Sequence, residues 1–179
     1  MEQTIEKSES IEDCAQKEII LFVCTGNTCR SPMAAAMLND MATKGPLVLR
    51  GPDSVRPLGK IEAVSAGLSV FPGMPISDEA VRALETRGIL STQQNPYKLH
   101  RARAVDEAMM RRADVVIGIS KSHASALMLR FPECADKIFC MPEDIPDPFG
   151  GGDEIYLSCL DRMKHCLEQI FVPDRPKGD

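Results

Sequence analysis

Ile19-Ile20-Leu21-Phe22-Val23-Cys24-Thr25-Gly26-Asn27-Thr28-Cys29-Arg30-Ser31-Pro32 is an apolar run that stops at a cysteine, crosses a short polar loop and enters a segment of helical composition. The run Ile19 to Val23 reads as a strand buried on both faces, as in the middle of a parallel sheet. The five residues between Cys24 and Arg30 suffice to curl round one tetrahedral anion with backbone N–H groups turned inward. A helix starting just behind that loop adds positive potential at the same place.

A thiol attacks well only as thiolate, and a helix N-terminus beside a guanidinium favours that form. Cys24 is expected to have both. Arg30 offers a planar fork matched to two phosphate oxygens, which the point charge of a lysine does not reproduce. Gly26 allows close backbone approach, and Asn27 tolerates the left-handed conformation a tight cradle needs. Ser31 is expected to cap the helix and donate to the sulfur, with Pro32 at the first helical position. A buried cysteine at a strand end also has a plain packing explanation. The Gly-Asn pair and the Arg-Ser-Pro exit favour the nucleophile.

Outward from this stretch the pattern alternates strand-like and helix-like segments, which predicts an α/β fold: one three-layer domain with a four-stranded parallel sheet flanked by helices. A helix over 32–42 follows the first strand. Ile61 to Ser65 reads as a second strand, and Ser77 caps a helix with Asp78 and Glu79 in its first turn that ends near Gly88. Asp106 to Arg112 reads as a short helix and Val115 to Ile119 as a third strand. Ser120 or Ser122 caps a helix running to Arg130, and Lys137 to Cys140 reads as a fourth strand. Tyr156, Cys159, Leu160, Met163, Cys166, Leu167, Ile170 and Phe171 form one stripe of period 3.6 on a last helix, as core rather than cofactor contacts. Residues 1–17 read as a polar extension with Cys14 as its reactive group, 18–172 as the domain, and 173–179 as a tail. Six Gly and Pro residues within 44–60 suggest an inserted loop.

Composition excludes several function classes. With 179 residues the chain can bury about 70% of its unfolded surface in one core. A net charge of -5, with six Phe, two Tyr and no Trp, argues against a nucleic-acid groove lined by stacking rings. Lys98 to Arg103 is the most basic run and reads as a solvated face. The start carries Glu2, Glu6 and Glu9 without an apolar core, so no signal peptide is expected, and the apolar run 19–24 is too short to span a membrane. Seven irregularly spaced cysteines predict free thiols in the cytoplasm. Without a Cys-x2-Cys pair, and with only His100, His123 and His165 to join a site, no metal and no cofactor is expected.

Val23 to Ala34 resembles the active-site loop of the low-molecular-weight protein tyrosine phosphatases. Asp147-Pro148-Phe149-Gly150-Gly151 resembles the acid loop of that family, and Val64 to Gly67 and Ala113 to Ile117 are similar to its other segments. The likeness runs from about Ile19 to Phe171. Ala35 departs from it, standing where the family usually has Glu. The resemblance implies two displacements. Cys24 attacks phosphorus while Arg30 and the N–H groups of Thr25, Gly26, Asn27, Thr28, Cys29, Arg30 and Ser31 hold the equatorial oxygens, and Asp147 protonates the leaving group. Water then releases phosphate from the phosphocysteine with Asp147 as base. Pro146 and Pro148 stiffen the chain around that acid.

Thr28 stands where tyrosine phosphatases usually carry a larger aliphatic residue, and Phe149 where they carry Tyr. Together they resemble the bacterial protein arginine phosphatase branch, which implies phosphoarginine proteins as substrates and an opposing protein arginine kinase. A shorter Thr28 alters the pocket floor, Asp147 is able to pair with a guanidinium, and Phe149 supplies an apolar wall. The alternative is a tyrosine phosphatase. Cys29, by the same resemblance, is a resolving thiol that forms a disulfide with Cys24 on oxidation. An arsenate reductase is disfavoured because Gly118 to Ser122 lacks the further redox cysteine, and a non-catalytic phosphopeptide module is disfavoured by intact Cys24, Arg30 and Asp147. A monomer acting on phosphorylated proteins, without nucleic acid or membrane, is expected.

Overall fold

The apolar run forms β1 (Glu18–Cys24), a central strand paired in parallel with β4 (Ile61–Gly67) on one side and β5 (Val115–Gly118) on the other. The computed structural model describes residues 17–51 and 54–174; most of the polar extension, with Cys14, and residues 175–179 of the tail lie outside them. β6 (Ile138–Cys140) completes a parallel sheet of order β4-β1-β5-β6.

Successive side chains of β1 point to opposite faces, and each face has its own core. Ile20, Phe22 and Cys24 pack with α1 (Arg30–Thr43), α2 (Asp78–Thr86) and α5 (Asp153–Ile170), while Leu21 and Val23 pack with α3 (Glu107–Arg112) and α4 (Lys121–Arg130). Burial on both faces is why the strand reads as a continuous apolar run. Ser77, Asp106 and Ser120 cap α2, α3 and α4 through side-chain acceptors for Ala80, Met109 and His123 N–H. Among the described residues no helix is long and apolar enough to cross a membrane.

Four local expectations are corrected. Segment 44–60 is not a plain loop. It carries β2 (Leu47–Arg50) and β3 (Val55–Pro57), which form a second, antiparallel sheet of order β3-β2-β7 with β7 (Phe171–Pro173). Phe171 leaves the helical stripe: its N–H still closes the last turn onto Leu167 O, but its φ of -114° and ψ of 108° are extended and it begins β7. Pro173 lies in that strand, and Asp174 N–H donates to Pro46 O at 2.9 Å, so the expected tail is partly docked. Finally, α1 starts at Arg30, with Cys29 at the cap position and no side-chain capping bond. Ser31 and Pro32 are therefore its second and third residues. The proline is harmless there, because the first intrahelical N–H bond is that of Met33 to Cys29 O at 3.1 Å.

Candidate active site

The site lies at the carboxyl ends of the parallel strands, where loops following neighbouring strands meet. Cys24 ends β1 and Gly67 ends β4, and the chain after Gly67 is tied to the loop by Leu68 N–H to Cys24 O at 2.9 Å and Ser69 N–H to Thr25 O at 3.0 Å. A Cβ on Gly67 would fall 2.6 Å from Thr25 O and 2.5 Å from Val70 Cγ1, so only glycine lets the two loops approach this closely.

Asn27 organises the loop. Its φ of 57° is the left-handed conformation, which asparagine accepts at low cost. It is fully buried, and every polar group it carries is used. Nδ2 donates to Ser31 Oγ and Ser65 Oγ, both at 2.9 Å, and Oδ1 accepts Arg103 N–H at 3.0 Å. Its carbonyl meets His100 Nε2 at 2.7 Å, and its N–H donates to Cys24 Sγ at 3.4 Å. Burial holds the His100 imidazole below its ordinary pKa, with the Asn27 carbonyl opposing and Arg103 and Arg101 adding to the depression. A neutral imidazole therefore donates Nε2–H to that carbonyl. The run Lys98 to Arg103, expected as a solvated face, thus contributes His100 and the Arg103 backbone to the cradle.

Ser31 Oγ lies 3.1 Å from Cys24 Sγ and 3.1 Å from Ala66 O, and it accepts from Asn27. Its one proton has two destinations. With Cys24 as a thiol it goes to Ala66 O; with Cys24 as thiolate it turns to the sulfur. Together with Asn27 N–H and the start of α1, this gives the sulfur two donors and a positive helix terminus.

Arg30 enters from the first residue of α1 with its side chain 7% exposed. Nη2 pairs with Asp147 Oδ2 at 2.5 Å and Nη1 donates to Ile145 O at 3.3 Å. Nε is the one buried side-chain polar atom among the described residues with no hydrogen-bond partner. A buried donor left unpaired is costly, and an oxyanion beside Cys24 is the partner the surrounding chemistry fits.

Asp147 is half exposed, with Oδ1 accepting Phe149 N–H at 3.2 Å. Its loop is braced from several sides. Lys121 N–H, at the start of α4, donates to Asp144 Oδ1 at 2.8 Å, Arg162 pairs with Glu143 at 2.9 Å, and Cys159 Sγ lies 3.8 Å from Pro146 O. Burial pushes the Cys159 thiol up to about 12, so it stays protonated beneath the loop. Phe149 stands out to solvent, 78% exposed. Thr28 is partly buried and Thr25 open at the mouth. Cys29 is buried, its Sγ 3.1 Å from Tyr156 Oη and 3.5 Å from Ser77 Oγ. Burial, then the contact with Cys29, raises the Tyr156 phenol, so it remains neutral.

A buried thiol at a strand end, an arginine one loop away and a carboxylate paired with that arginine define the class of cysteine-based phosphatases. Residues 19–175 match the family described as "Low molecular weight phosphotyrosine protein phosphatase". The sequence is 32% identical over 158 residues to the protein-arginine-phosphatase of Geobacillus stearothermophilus, covering 84% of this chain and 92% of that one. Among solved structures it is similar to a low molecular weight protein tyrosine phosphatase from T. tengcongensis, with 33% identity, a TM-score of 0.70, and 86% and 97% of the two chains covered. It is likewise similar to a mutant of the YwlE arginine phosphatase carrying a phosphorylated active-site serine, with 31% identity, a TM-score of 0.68, and 84% and 91% covered. The chain belongs to the low molecular weight phosphotyrosine protein phosphatase family.

Proposed function

We propose that this protein removes phosphate from phosphoarginine in proteins through a phosphocysteine intermediate on Cys24. The observation that carries the mechanism is the Arg30 guanidinium: buried, fixed by Asp147 and Ile145 O, with Nε buried and unpaired at the far end of the loop that begins at Cys24. Cys24 thiolate attacks phosphorus, forming the S–P bond as the P–N bond to the guanidino group breaks. Asp147, released from Arg30 as the phosphoryl group binds and protonated from solvent, gives that proton to the departing nitrogen. Arg30 and the N–H groups of the loop from Thr25 to Ser31 hold the equatorial oxygens. Water then attacks phosphorus, Asp147 carboxylate takes its proton, the S–P bond breaks and phosphate leaves. The phosphorylated active-site serine in the similar YwlE structure supports a covalent intermediate at this position.

Phosphoarginine is favoured by Thr28 and Phe149, by the arginine phosphatases among the relatives, and by the Arg30–Asp147 pair, which has Asp147 already bound to a guanidinium. A protein arginine kinase as the opposing enzyme, action as a monomer and a cytoplasmic location belong to the same reading. The location is supported by the six cysteines of the described residues, all thiols. Protein tyrosine phosphatase activity is the second reading, favoured by the similar T. tengcongensis structure. Rapid quenching during turnover tests the mechanism. Phosphate is expected on Cys24, and none in Cys24→Ala under the same conditions; rapid turnover by Cys24→Ala would refute the assignment.

A further inference from the structure

His123 lies outside the phosphate cradle yet reaches it. It is 5% exposed, in the first turn of α4, and its ring bridges two hydroxyls: Nδ1 is 2.7 Å from Ser120 Oγ and Nε2 is 3.0 Å from Thr25 Oγ1. Ser120 Oγ also accepts His123 N–H at 3.4 Å and lies 2.8 Å from Ser122 Oγ, so the ring is fixed from its far side. Thr25 is the residue after the nucleophile. Its carbonyl is held by Ser69 N–H and its hydroxyl by His123, so backbone and side chain are pinned from opposite sides of the mouth.

The same first turn of α4 carries Lys121, whose N–H donates to Asp144 Oδ1 at 2.8 Å, so this anchor sits where α4 meets the acid loop. Burial and Arg30 depress the His123 pKa, so the ring is neutral at pH 7. A neutral ring spends one hydrogen-bonding capacity of the Thr25 hydroxyl and leaves the remaining capacity free at the mouth.

We propose that His123 is a positioning residue that holds the Thr25 hydroxyl on the acid-loop side of the cradle, where Thr25 contacts the leaving group and favours one bearing N–H donors over an aromatic ring. The inference rests on the phosphoarginine reading. A guanidino N–H pairs with the fixed oxygen. An aryl ester offers an ester oxygen and C–H but no N–H or O–H donor, so the accepting lone pair of the hydroxyl loses water without replacement, which is the more discriminating kind of contact.

The test measures kcat/KM on one peptide carrying either phosphoarginine or phosphotyrosine, for the wild type, Thr25→Val, His123→Leu, the double variant and His123→Gln. Thr25→Val and His123→Leu should each lower the phosphoarginine-to-phosphotyrosine ratio by about five- to tenfold. The double variant should lose no more than either single, because both remove one contact. His123→Gln, whose amide reaches the same hydroxyl, should bring the ratio back to within about twofold of wild type. If His123→Leu does not fold, Thr25→Val and His123→Gln carry the same comparison. Equal losses on both substrates, or additive losses in the double variant, overturn the inference while leaving the phosphatase reading intact. A wild type that turns over neither substrate overturns both.

Discussion

The Asp147 carboxylate and the Arg30 guanidinium form an ion pair, Oδ2 to Nη2 at 2.5 Å, across 117 residues of sequence. The arginine side is buried and the aspartate side half open, so Asp147 is the partner free to move. Asp147→Asn keeps the shape and loses the proton. We expect kcat on phosphoarginine to fall by about 10²–10⁴, with KM changed far less. On para-nitrophenyl phosphate, whose leaving group needs little protonation, the loss should be smaller. Equal losses on the two substrates would contradict the acid role.

Asn27 holds the loop through its left-handed backbone and through five hydrogen bonds. Asn27→Ala adds about 1–2 kcal/mol of backbone strain and strands the Arg103 N–H, for about 1–3 kcal/mol more. A thermal melt should show a loss of about 5–15 °C. Asn27→Gly keeps the backbone conformation and should lose less. A larger loss in Asn27→Gly than in Asn27→Ala would contradict the account of the strain.

The buried His123 and the partly buried His100 both have folded-state pKa values below the ordinary 6.5. Below pH 6.5 the unfolded chain therefore binds more protons at these positions than the folded one, and stability falls as pH falls. It is fully present above 6.5. Urea unfolding should show a declining midpoint from pH 7 towards 5, and a flatter slope in His123→Gln. An unchanged slope would contradict the neutral, buried ring.

Cys29 is bonded to Tyr156 and Ser77, while Cys24 is bonded to Ser31 and Asn27, so a disulfide between the two requires both sets of bonds to yield. If Cys29 is the resolving thiol, activity lost to peroxide should return with dithiothreitol in the wild type. In Cys29→Ser, Cys24 should pass on to sulfinic acid and activity should not return. Equal recovery in both would assign Cys29 to packing alone.

The parallel sheet was legible because its strands are bounded by local signals: an apolar run ending at Cys24, and Ser77, Asp106 and Ser120 as caps. The β2, β3 and β7 sheet was not. Leu47 to Arg50 is short and lies among glycines and prolines, and its partner Phe171 to Pro173 is far along the chain. Phe171 also fits the helical period of α5, since it sits one residue past the last helical turn. Of the site, Cys24, Arg30 and Asp147 stood out by spacing and resemblance. The supports His100, Arg103, His123 and Ser65 come from three other segments and carry no spacing signal, while the spacing of Tyr156 marks it only as core. They are placed only by the fold, and Ser31 is divided: its contact with Cys24 was expected from the sequence, whereas the expected cap is absent and its hydroxyl also serves Asn27 and Ala66.

The central claim is the leaving group. Purified protein should be given a phosphoarginine protein and a phosphotyrosine peptide side by side, with Cys24→Ser as the blank and Thr28→Ile as the probe of the pocket floor. The account predicts a higher kcat/KM on phosphoarginine that Thr28→Ile weakens or reverses. A wild type that prefers phosphotyrosine would contradict it.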